Sequence, residues 1–391
     1  MTRARPARRR PSRAALAALL LLAIPVEAAA GADCLAPEAD CSLREVADAL
    51  DVKVGTAVAM GPLANEPIYS KTLAREFNSV TAENVMKWQA VQPMQGDFDF
   101  AAADGLVIFA EAAGMSVRGH TLIWAQELID STPDWVEAAE SAEVLRGFMR
   151  DHITTVVTRY RGRVDAWDVV NEPLETLGEQ LYDNVFHRLL GRGYIAEAFA
   201  LAHQADPEAR LYLNEVLVLR DSEKRAALYA LVLDLLEQGV PIHGVGFQGH
   251  FVSSFLTPVD REVIQQSLAL FADLGLEVEI TELDIVQGAG EEADETQRQR
   301  YRDVVGACMA VEACRRVTTW GFTDLHTWLD DLLGPDADPL LFDESYARKP
   351  AYLGYREGLA TRAVPEPEGW LQAAAAASAL GLLRGRRRGA L

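Results

Sequence analysis

Positive charge is scarce in this chain of 391 residues, which carries 37 lysines and arginines against 58 aspartates and glutamates. Ten of the basic residues but only three of the acidic ones lie in residues 1–32 and 365–391, so the body of the chain is more acidic than the overall net charge of −21. Such a surface repels the phosphates of nucleic acid and anionic membranes. We therefore expect no nucleic-acid partner, whereas a neutral substrate such as a sugar is compatible with this charge.

Cysteine is also scarce, with four residues in the whole chain: Cys34, Cys41, Cys308 and Cys314. An even number of cysteines in an exported protein suggests disulfides, and two local pairs are the simplest of the three possible connectivities. Zinc binding is the alternative, but intervals of seven and six residues are wider than the usual ligand spacing. We expect the disulfides Cys308–Cys314 and Cys34–Cys41, and no metal or organic cofactor.

Apolar runs long enough to span a bilayer are absent, although each end of the chain carries a shorter one. The first end begins with several arginines, continues with an apolar run from Ala14 to Ile24, and finishes with small residues before Cys34. This layout is typical of a secretory signal peptide over residues 1–32. A short membrane anchor is the alternative, but the run is too short to span. We expect the export machinery to deliver the protein to the periplasm, the cell surface or the medium.

The other end has three parts in order. Val364–Pro367 reads "VPEP", a largely apolar run follows from Gly369 to Leu383, and an arginine cluster closes the sequence. At about 1.5 Å per residue the run falls short of the roughly 30 Å bilayer core, so it inserts only marginally, with the arginines on the cytoplasmic side. Residues 364–391 resemble the PEP-CTERM sorting tags that exosortase-type transpeptidases process, which implies transient anchoring at the inner membrane. A frayed alanine-rich tail is the alternative.

Between the two ends there is no internal repeat and no linker, so residues 33–363 are expected to form a single domain. Eight strand-like segments alternate with amphipathic helical patterns such as 100–114, 225–239 and 262–275, several of which end in glycine. The predicted strands cover 52–59, 78–84, 116–124, 164–172, 209–215, 243–251, 276–285 and 317–324. This alternation predicts an α/β fold, the (β/α)₈ TIM barrel. A doubly wound sheet is the alternative, but no glycine-rich phosphate loop follows the first strand.

Polar residues recur at the carboxyl ends of the predicted strands, where barrel enzymes place their catalytic groups. The segment "WDVVNEP" ends the fourth strand on Asn171 and Glu172, and "EITELD" brings Glu282 to the end of the seventh. A lone glutamate at a strand end would be a solvated cap. Two carboxylates facing each other across a barrel mouth are what glycoside hydrolysis needs, one to protonate the leaving oxygen and one to attack or to activate water.

Five motifs occur in order along the chain: "FNSVTAENVMKW", "WDVVNEP", "GVGFQGH", "ITELD" and "WGFTDLHTW". Together they resemble glycoside hydrolase family 10, the retaining endo-β-1,4-xylanases, over about residues 43–360. The cysteine pair in "CMAVEAC" and the segment "PLLFDESYARKPAY" also resemble that family. The resemblance implies a (β/α)₈ barrel that cleaves internal β-1,4-xylosidic bonds of xylan by double displacement. We expect the protein to act as a monomer.

The resemblance also implies roles for individual residues. Glu172 matches the general acid/base and Glu282 the nucleophile. Asn171 matches the residue that hydrogen-bonds the sugar 2-hydroxyl, and His250 and Asp284 match a relay that orients Glu282 and keeps it ionised. The remaining matches are substrate-binding side chains along the edge, wall and aromatic floor of the cleft: Glu83, Asn84, Lys87, His120, Trp124, Asn214, Gln248, Trp320 and Trp328.

The sequence departs from the family pattern after the third strand. Ala125 stands where a histidine is expected, Glu127 stands where a glutamine is expected if no gap is placed before it, and about four additional residues precede Pro133. These departures affect sugar contacts on the non-reducing side and leave the two carboxylates untouched. Two alternatives to xylanase activity therefore stay open: the same chemistry on another β-1,4-glycan or an aryl glycoside, and a non-catalytic surface protein that binds glycans. Glu215, a common variant of aspartate at its position, is given no catalytic role.

Overall fold

A computed structural model describes residues 34–36, 39–124, 126, 131–220, 222–252, 258–287, 290–335 and 337–363. The predicted signal peptide and sorting tail lie outside these residues, as do Ala125 and Glu127, the two positions where the family pattern is broken. Among the helices in the described ranges, none has the length and apolar character needed to cross a bilayer.

Eight parallel strands close into a barrel, which confirms the predicted fold class. The strands in the described residues are β1 Lys53–Val58, β2 Ser79–Ala82, β3 Ser116–Gly119, β4 Ala166–Asn171, β5 Arg210–Glu215, β6 Gly244–Phe247, β7 His250–Phe251, β8 Glu277–Ile285 and β9 Cys314–Thr319. Neighbours pair in chain order from β1 to β6, β6 pairs with β8, and β9 returns to β1. The two-residue β7 pairs only with the end of β8.

Each predicted strand is present, but its limits differ where the chain enters the loops. The third predicted segment leaves the ladder after Gly119, and the eighth strand begins at Cys314 and ends at Thr319 rather than continuing to Asp324. The sixth segment divides into β6 and β7. Apolar residues continue past the last ladder hydrogen bonds, and the sequence pattern alone does not show where pairing stops.

Gly119 illustrates why the barrel needs glycine at one strand end. A Cβ built at this position would lie 2.2 Å from the indole ring of Trp167 on the neighbouring strand. Any larger residue would displace this buried tryptophan from the barrel wall.

Helices surround the barrel and carry the apolar faces that the sequence predicts. Those in the described residues are α1 Leu43–Leu50, α2 Met60–Asn65, α3 Pro67–Glu76, α4 Trp88–Val91, α5 Ala101–Ala112, α6 Asp134–Glu137, α7 Ala142–Arg159, α8 Val185–Leu190, α9 Gly193–Ala205, α10 Glu223–Glu237, α11 Arg261–Ala272, α12 Glu291–Met309, α13 Leu329–Leu333 and α14 Pro350–Ala360. Short 3₁₀ turns cover Asp324–His326 and Thr361–Ala363.

Side-chain caps determine where several of these helices begin. The Ser42 hydroxyl accepts the backbone N–H of Glu45, and the Glu45 carboxylate accepts the backbone N–H of Ser42, which together form a capping box before α1. Before α10 the Ser222 hydroxyl accepts the backbone N–H of Arg225, and before α11 the Asp260 carboxylate accepts those of Glu262 and Val263. These caps satisfy N–H groups that have no partner within the helix.

Both predicted disulfides are present. Cys308 near the end of α12 is bonded to Cys314 at the start of β9, and Cys34 is bonded to Cys41 ahead of α1. The described residues hold no free cysteine.

A layer of buried charge crosses the barrel interior beneath its carboxyl end. Arg118 on β3 is fully buried and makes two hydrogen bonds to Asp168, with Nη2–Oδ1 at 2.5 Å and Nε–Oδ2 at 3.2 Å. Its Nη1 lies 2.6 Å from a carboxylate oxygen of Glu279, and its guanidinium stacks 4.4 Å from the ring centre of Tyr212. The guanidinium is thus the counter-charge of Asp168, and it shares Glu279 with Arg316, whose Nε lies 3.6 Å from the same carboxylate.

We predict that Arg118→Met lowers the free energy of unfolding by about 3–5 kcal/mol, because breaking a buried pair leaves the Asp168 carboxylate without its guanidinium counter-charge. Urea unfolding followed by circular dichroism measures the effect. Arg163→Met is the matched control, since Arg163 makes a similar two-point contact with Glu111 at the surface, where both side chains are partly solvated. Similar losses for the two variants would show that burial is not what makes Arg118 important.

Candidate active site

Glu172 directly follows β4 at the carboxyl end of the barrel. Its backbone is in the left-handed region, with φ +49°, which residues other than glycine rarely adopt. The backbone N–H of Glu172 donates to the carbonyl oxygen of Asn214 on β5 at 2.8 Å. The side chain is 8% exposed, so the carboxyl group reaches the cleft from an almost fully buried position.

Two side-chain amides hold the carboxyl group of Glu172. Gln248 donates to Oε1 and Gln126 to Oε2, both at 2.8 Å. Burial raises the pKa of Glu172 above its ordinary value, the hydrogen bond from Gln248 opposes that shift, and the negative charge of Glu282 adds to it. A carboxyl group in this environment keeps its proton to higher pH than one in water and can act as an acid.

Glu282 on β8 is held in a different way. Its Oε1 accepts a hydrogen bond from Asn214 at 2.7 Å, and its Oε2 lies 3.1 Å from Nε2 of His250. The other ring nitrogen of His250 lies 2.8 Å from Oδ2 of Asp284. Burial by itself would lower the pKa of His250, but the charge of Asp284 and the hydrogen bonds to both carboxylates raise it to about 10. The ring is therefore an imidazolium that donates to both carboxylates at neutral pH.

The pairing of β8 with its neighbours makes this contact possible. Phe247 of β6 pairs with Ile280, whereas His250 of β7 pairs with Asp284, so β8 gains one residue between these two pairings. An extra residue of this kind re-aims side chains and is common next to active sites. Here the extra residue accompanies an arrangement in which Asp284 and Glu282 each face one ring nitrogen of His250.

An amide bridge connects the two carboxylates. The Nδ2 atom of Asn214 contacts Oδ1 of Asn171 and Oε1 of Glu282, each at 2.7 Å. Asn171 in turn lies 3.3 Å from Oε1 of Glu172, and its Oδ1 also accepts from Gln248 at 3.3 Å. The residues that the sequence predicts at the ends of four different strands thus form one hydrogen-bonded network.

A second group of predicted residues forms one wall of the cleft. Lys87 donates to Oδ1 of Asn84 at 2.6 Å, and Asn84 donates to Glu83 at 3.2 Å. The ammonium group of Lys87 also lies 5.0 Å from the ring centre of Trp124. Burial raises the pKa of Glu83 and lowers the pKa of Lys87. Glu83 and Lys87 thus present charge in a poorly solvated position, whereas Asn84 is exposed.

His120 lies between this wall and the barrel centre. Its Nδ1 faces Asp168 at 3.0 Å, which joins the cleft to the buried charge layer below. Its Nε2 is buried and has no hydrogen-bonding partner among the described residues. The ring is 5.7 Å from Trp124 and 5.1 Å from Trp320.

Trp328 has both a supporting contact and an exposed surface. Its indole N–H donates to Oδ2 of Asp284 at 3.0 Å, and its ring centre lies 5.2 Å from that of His250. The residue is nevertheless 37% exposed, whereas Trp320 is mostly covered. An apolar ring is thus available at the rim of the cleft.

The structure therefore places all the predicted site residues at the carboxyl end of the barrel. Gln126 is not among the residues that the sequence predicts, although it contacts the carboxyl group of Glu172 directly. One feature of the sequence points to Gln126, which is an amide residue next to Glu127. Glu127 is the position at which the family pattern, aligned without a gap, has its glutamine. Within the described ranges, no group of three or more histidine, cysteine, aspartate or glutamate side chains is arranged to hold a metal ion.

Comparison with known proteins agrees with this geometry. The model of Glycosyl hydrolase family 10 matches residues 42–357. An endo-1,4-beta-xylanase of Agaricus bisporus is 36% identical over 327 residues, covering 82% of this chain and 96% of that protein. A beta-1,4-xylanase of Dictyoglomus thermophilum is 39% identical over 305 residues, covering 73% and 82%. The crystal structure of native xylanase 10B from Thermotoga maritima superposes with a TM-score of 0.76 at 34% identity, covering 81% of this chain and 98% of that one. The chain belongs to glycosyl hydrolase family 10.

Proposed function

We propose that this protein is a retaining endo-β-1,4-xylanase with Glu172 as acid/base and Glu282 as nucleophile. One observation carries the proposal: two buried carboxyl groups at the ends of different strands are joined by an amide bridge, yet their environments differ. Burial favours the protonated form of Glu172, while the His250 imidazolium donates a hydrogen bond to Glu282. The xylanase names of its relatives support xylan as the substrate.

In the first step Glu172 gives its proton to the glycosidic oxygen as the bond between that oxygen and the anomeric carbon breaks. Glu282 attacks the anomeric carbon from the opposite face and forms a covalent glycosyl ester. The imidazolium of His250 donates a hydrogen bond to Glu282 and thereby orients the nucleophile for attack.

In the second step Glu172 acts as a base. Esterification removes the negative charge of Glu282, so the Glu172 carboxylate is no longer opposed by that charge and its pKa falls. Glu172 then takes a proton from a water molecule, the resulting hydroxide equivalent attacks the anomeric carbon, and the ester bond to Glu282 breaks. Two displacements restore the original anomeric configuration.

The rest of the cleft holds the sugar chain. In this proposal Asn171 contacts the sugar 2-hydroxyl, as the family resemblance implies, and Nε2 of buried His120, which has no partner among the described residues, offers a further hydrogen bond. Lys87 and its partners supply polar contacts along one wall, while Trp320 and Trp328 offer ring faces for stacking. These contacts would supply hydrogen bonds and stacking surfaces to a neutral sugar chain.

We predict that the purified protein releases reducing ends from xylan faster than from mixed-linkage β-glucan or an aryl cellobioside. Because the proposed cleavage is internal, the viscosity of soluble xylan should fall well before most of its bonds are cut. Initial rates with the three substrates and parallel viscometry provide the measurement. Faster turnover of the glucan or of the cellobioside would support the alternative glycan, and no turnover of any substrate would support a binding protein.

We further predict that Glu282→Ala lowers kcat on xylan by on the order of 10⁴-fold or more, because the nucleophile is lost while the fold remains. Azide occupies the vacated space, so an activated aryl xyloside should yield a glycosyl azide of inverted configuration. Glu295→Ala, on an exposed face of α12, is the control and should retain normal activity. Near-normal hydrolysis by Glu282→Ala would contradict the assignment.

We also propose that the chain is exported and processed at both ends. Residues 1–32 would be removed as a signal peptide, residues 33–363 would form the catalytic body, and residues 364–391 would act as a sorting tail. The order of the "VPEP" segment, apolar run and arginine cluster supports this proposal. An exosortase-type transpeptidase would cut near Pro365–Pro367 and release or transfer the body to the periplasm, the cell surface or the medium.

We predict that replacing the tail arginines with serine changes both membrane retention and processing, because the cluster stops the short apolar run during export. The four positions are Arg384, Arg386, Arg387 and Arg388. Cell fractionation with mass spectrometry of the C-terminus measures the outcome, and specific activity on soluble substrate should not change. An unaltered distribution, with an intact C-terminus on the secreted protein, would restore the frayed-tail interpretation.

A further inference from the structure

A buried ion pair lies behind the carboxyl end of β5. Glu215 is fully buried, and the Nζ atom of Lys224 in the first turn of α10 lies 2.8 Å from its Oε1. Lys224 is only 4% exposed. Lysine is almost never buried to this extent unless it is paired, and removing two charges from water carries a desolvation penalty for each ion. Such a pair is therefore expected to serve some purpose beyond stability.

Both members of the pair hold the backbone that follows Glu172. Oε2 of Glu215 accepts the backbone N–H of Leu174 at 3.2 Å. The ammonium group of Lys224 donates to the carbonyl oxygen of Thr176, also at 3.2 Å. The ion pair thus holds the backbone at the second and fourth residues after Glu172, the proposed acid.

The backbone of Glu172 needs such support. A left-handed conformation is unfavourable for a residue other than glycine and persists only where the surroundings impose it. Asn214 accepts the N–H of Glu172, and the next residue of β5, Glu215, accepts the N–H of Leu174. The end of β5 therefore binds the backbone N–H groups of Glu172 and Leu174, which are alternate residues of this turn.

The same pair contributes charge near Glu172. Five ionisable groups face it from the surrounding elements: Glu282 on β8, His250 on β7, Glu215 on β5, Lys224 on α10 and Lys87 before α4. Burial is the largest effect and raises the pKa of Glu172, whereas Lys224 and His250 lower it. Burial also raises the pKa of Glu215 to about 7, although the adjacent Lys224 opposes this shift.

We propose that Glu215 and Lys224 are positioning residues for Glu172, fixing the turn that aims its carboxyl group and setting the charge behind it. The inference rests on the proposed role of Glu172 as the acid. Neither residue is one of the predicted substrate-binding groups, so their effect should act on proton donation rather than on sugar binding. They therefore differ from Gln126 and Gln248, which contact the carboxyl group itself.

The test uses Glu215→Gln in the full chain with two substrates. Xylan has a poor leaving group that needs protonation, whereas an aryl xylobioside with a dinitrophenolate leaving group needs almost none. We expect kcat/KM on xylan to fall about tenfold, a fraction of the contribution of a general acid, with KM little changed. The value for the dinitrophenyl substrate should stay within about twofold, since nucleophilic attack by Glu282 is unaffected.

The pH profile of kcat/KM on xylan supplies a second readout. Its basic limb follows deprotonation of Glu172, because the acid must be protonated in the first step. Glu215→Gln removes a nearby negative charge and leaves Lys224 unbalanced, which favours the ionised form of Glu172. The basic limb should therefore move to lower pH. In Glu215→Gln/Lys224→Met both charges are gone, so the limb should return toward its wild-type position while the loss on xylan persists.

A second buried pair in the same barrel provides a matched control. Lys349 lies 2.5 Å from Asp324 and donates to the carbonyl oxygen of Asp338, and Asp324 accepts the backbone N–H of Leu340. Burial raises the pKa of Asp324 to about 6. Asp324→Asn should lower thermal stability as Glu215→Gln does, but any loss of activity should be equal for the two substrates, and the basic limb should not move.

The outcomes distinguish failure of the proposed function from failure of the proposed positioning role. If the wild-type protein hydrolyses neither substrate, the proposed function itself is wrong. If the wild-type protein hydrolyses both and Glu215→Gln loses activity equally on both, or shows an unshifted basic limb, the pair has only a structural role and the inference is overturned. Active-site titration with a 2-fluoro xylobioside, which traps Glu282 as its ester, corrects each rate for the fraction of folded enzyme.

Discussion

The contact of one imidazolium with two carboxylates is the interaction on which the rest of the site depends. His250 lies between Glu282 and Asp284, and each ring nitrogen has a carboxylate oxygen within about 3 Å. Without that positive charge, Glu282 would be buried at the mouth of a barrel that already holds the carboxyl group of Glu172. Two like charges in one poorly solvated cleft would compete for a proton. The imidazolium supplies a positive charge and a hydrogen bond to Glu282, while burial and the charge of Glu282 raise the pKa of Glu172.

The supports of this arrangement extend well below the cleft. Asp284 is also fixed by the indole of Trp328, and Glu282 by the amide of Asn214. Further down, Asp168 connects His120 to the guanidinium of Arg118 in the barrel interior. The barrel thus has polar groups at two levels, one at the mouth and one beneath it. Each buried carboxylate discussed here has a cationic or amide partner, which is the condition for keeping charge inside a protein.

The loop after β4 shows how a strained backbone is supported by its neighbours. Glu172 takes up a left-handed conformation, and successive residues at the end of β5 accept hydrogen bonds from the turn that follows it. Lys224 adds a third contact from α10. The position of the acid is consequently decided by three elements, β4, β5 and α10, which meet only when the barrel is closed. This explains why a glutamate that looks like an ordinary strand cap in the sequence occupies a defined place in the cleft.

The fold class, the strand order and both disulfides follow from the sequence, because hydrophobic alternation, helix ends and short cysteine spacing are local properties. The strand-end motifs also identify the acidic and aromatic residues of the cleft. Other features depend on tertiary structure alone. The extra residue in β8, the left-handed turn at Glu172 and the hydrogen bond from Gln126 arise from pairings between segments distant along the chain. The ion pair of Glu215 with Lys224, and its hydrogen bonds to the turn after Glu172, likewise form only when β5 and α10 pack together. No local sequence pattern specifies which buried charges will meet.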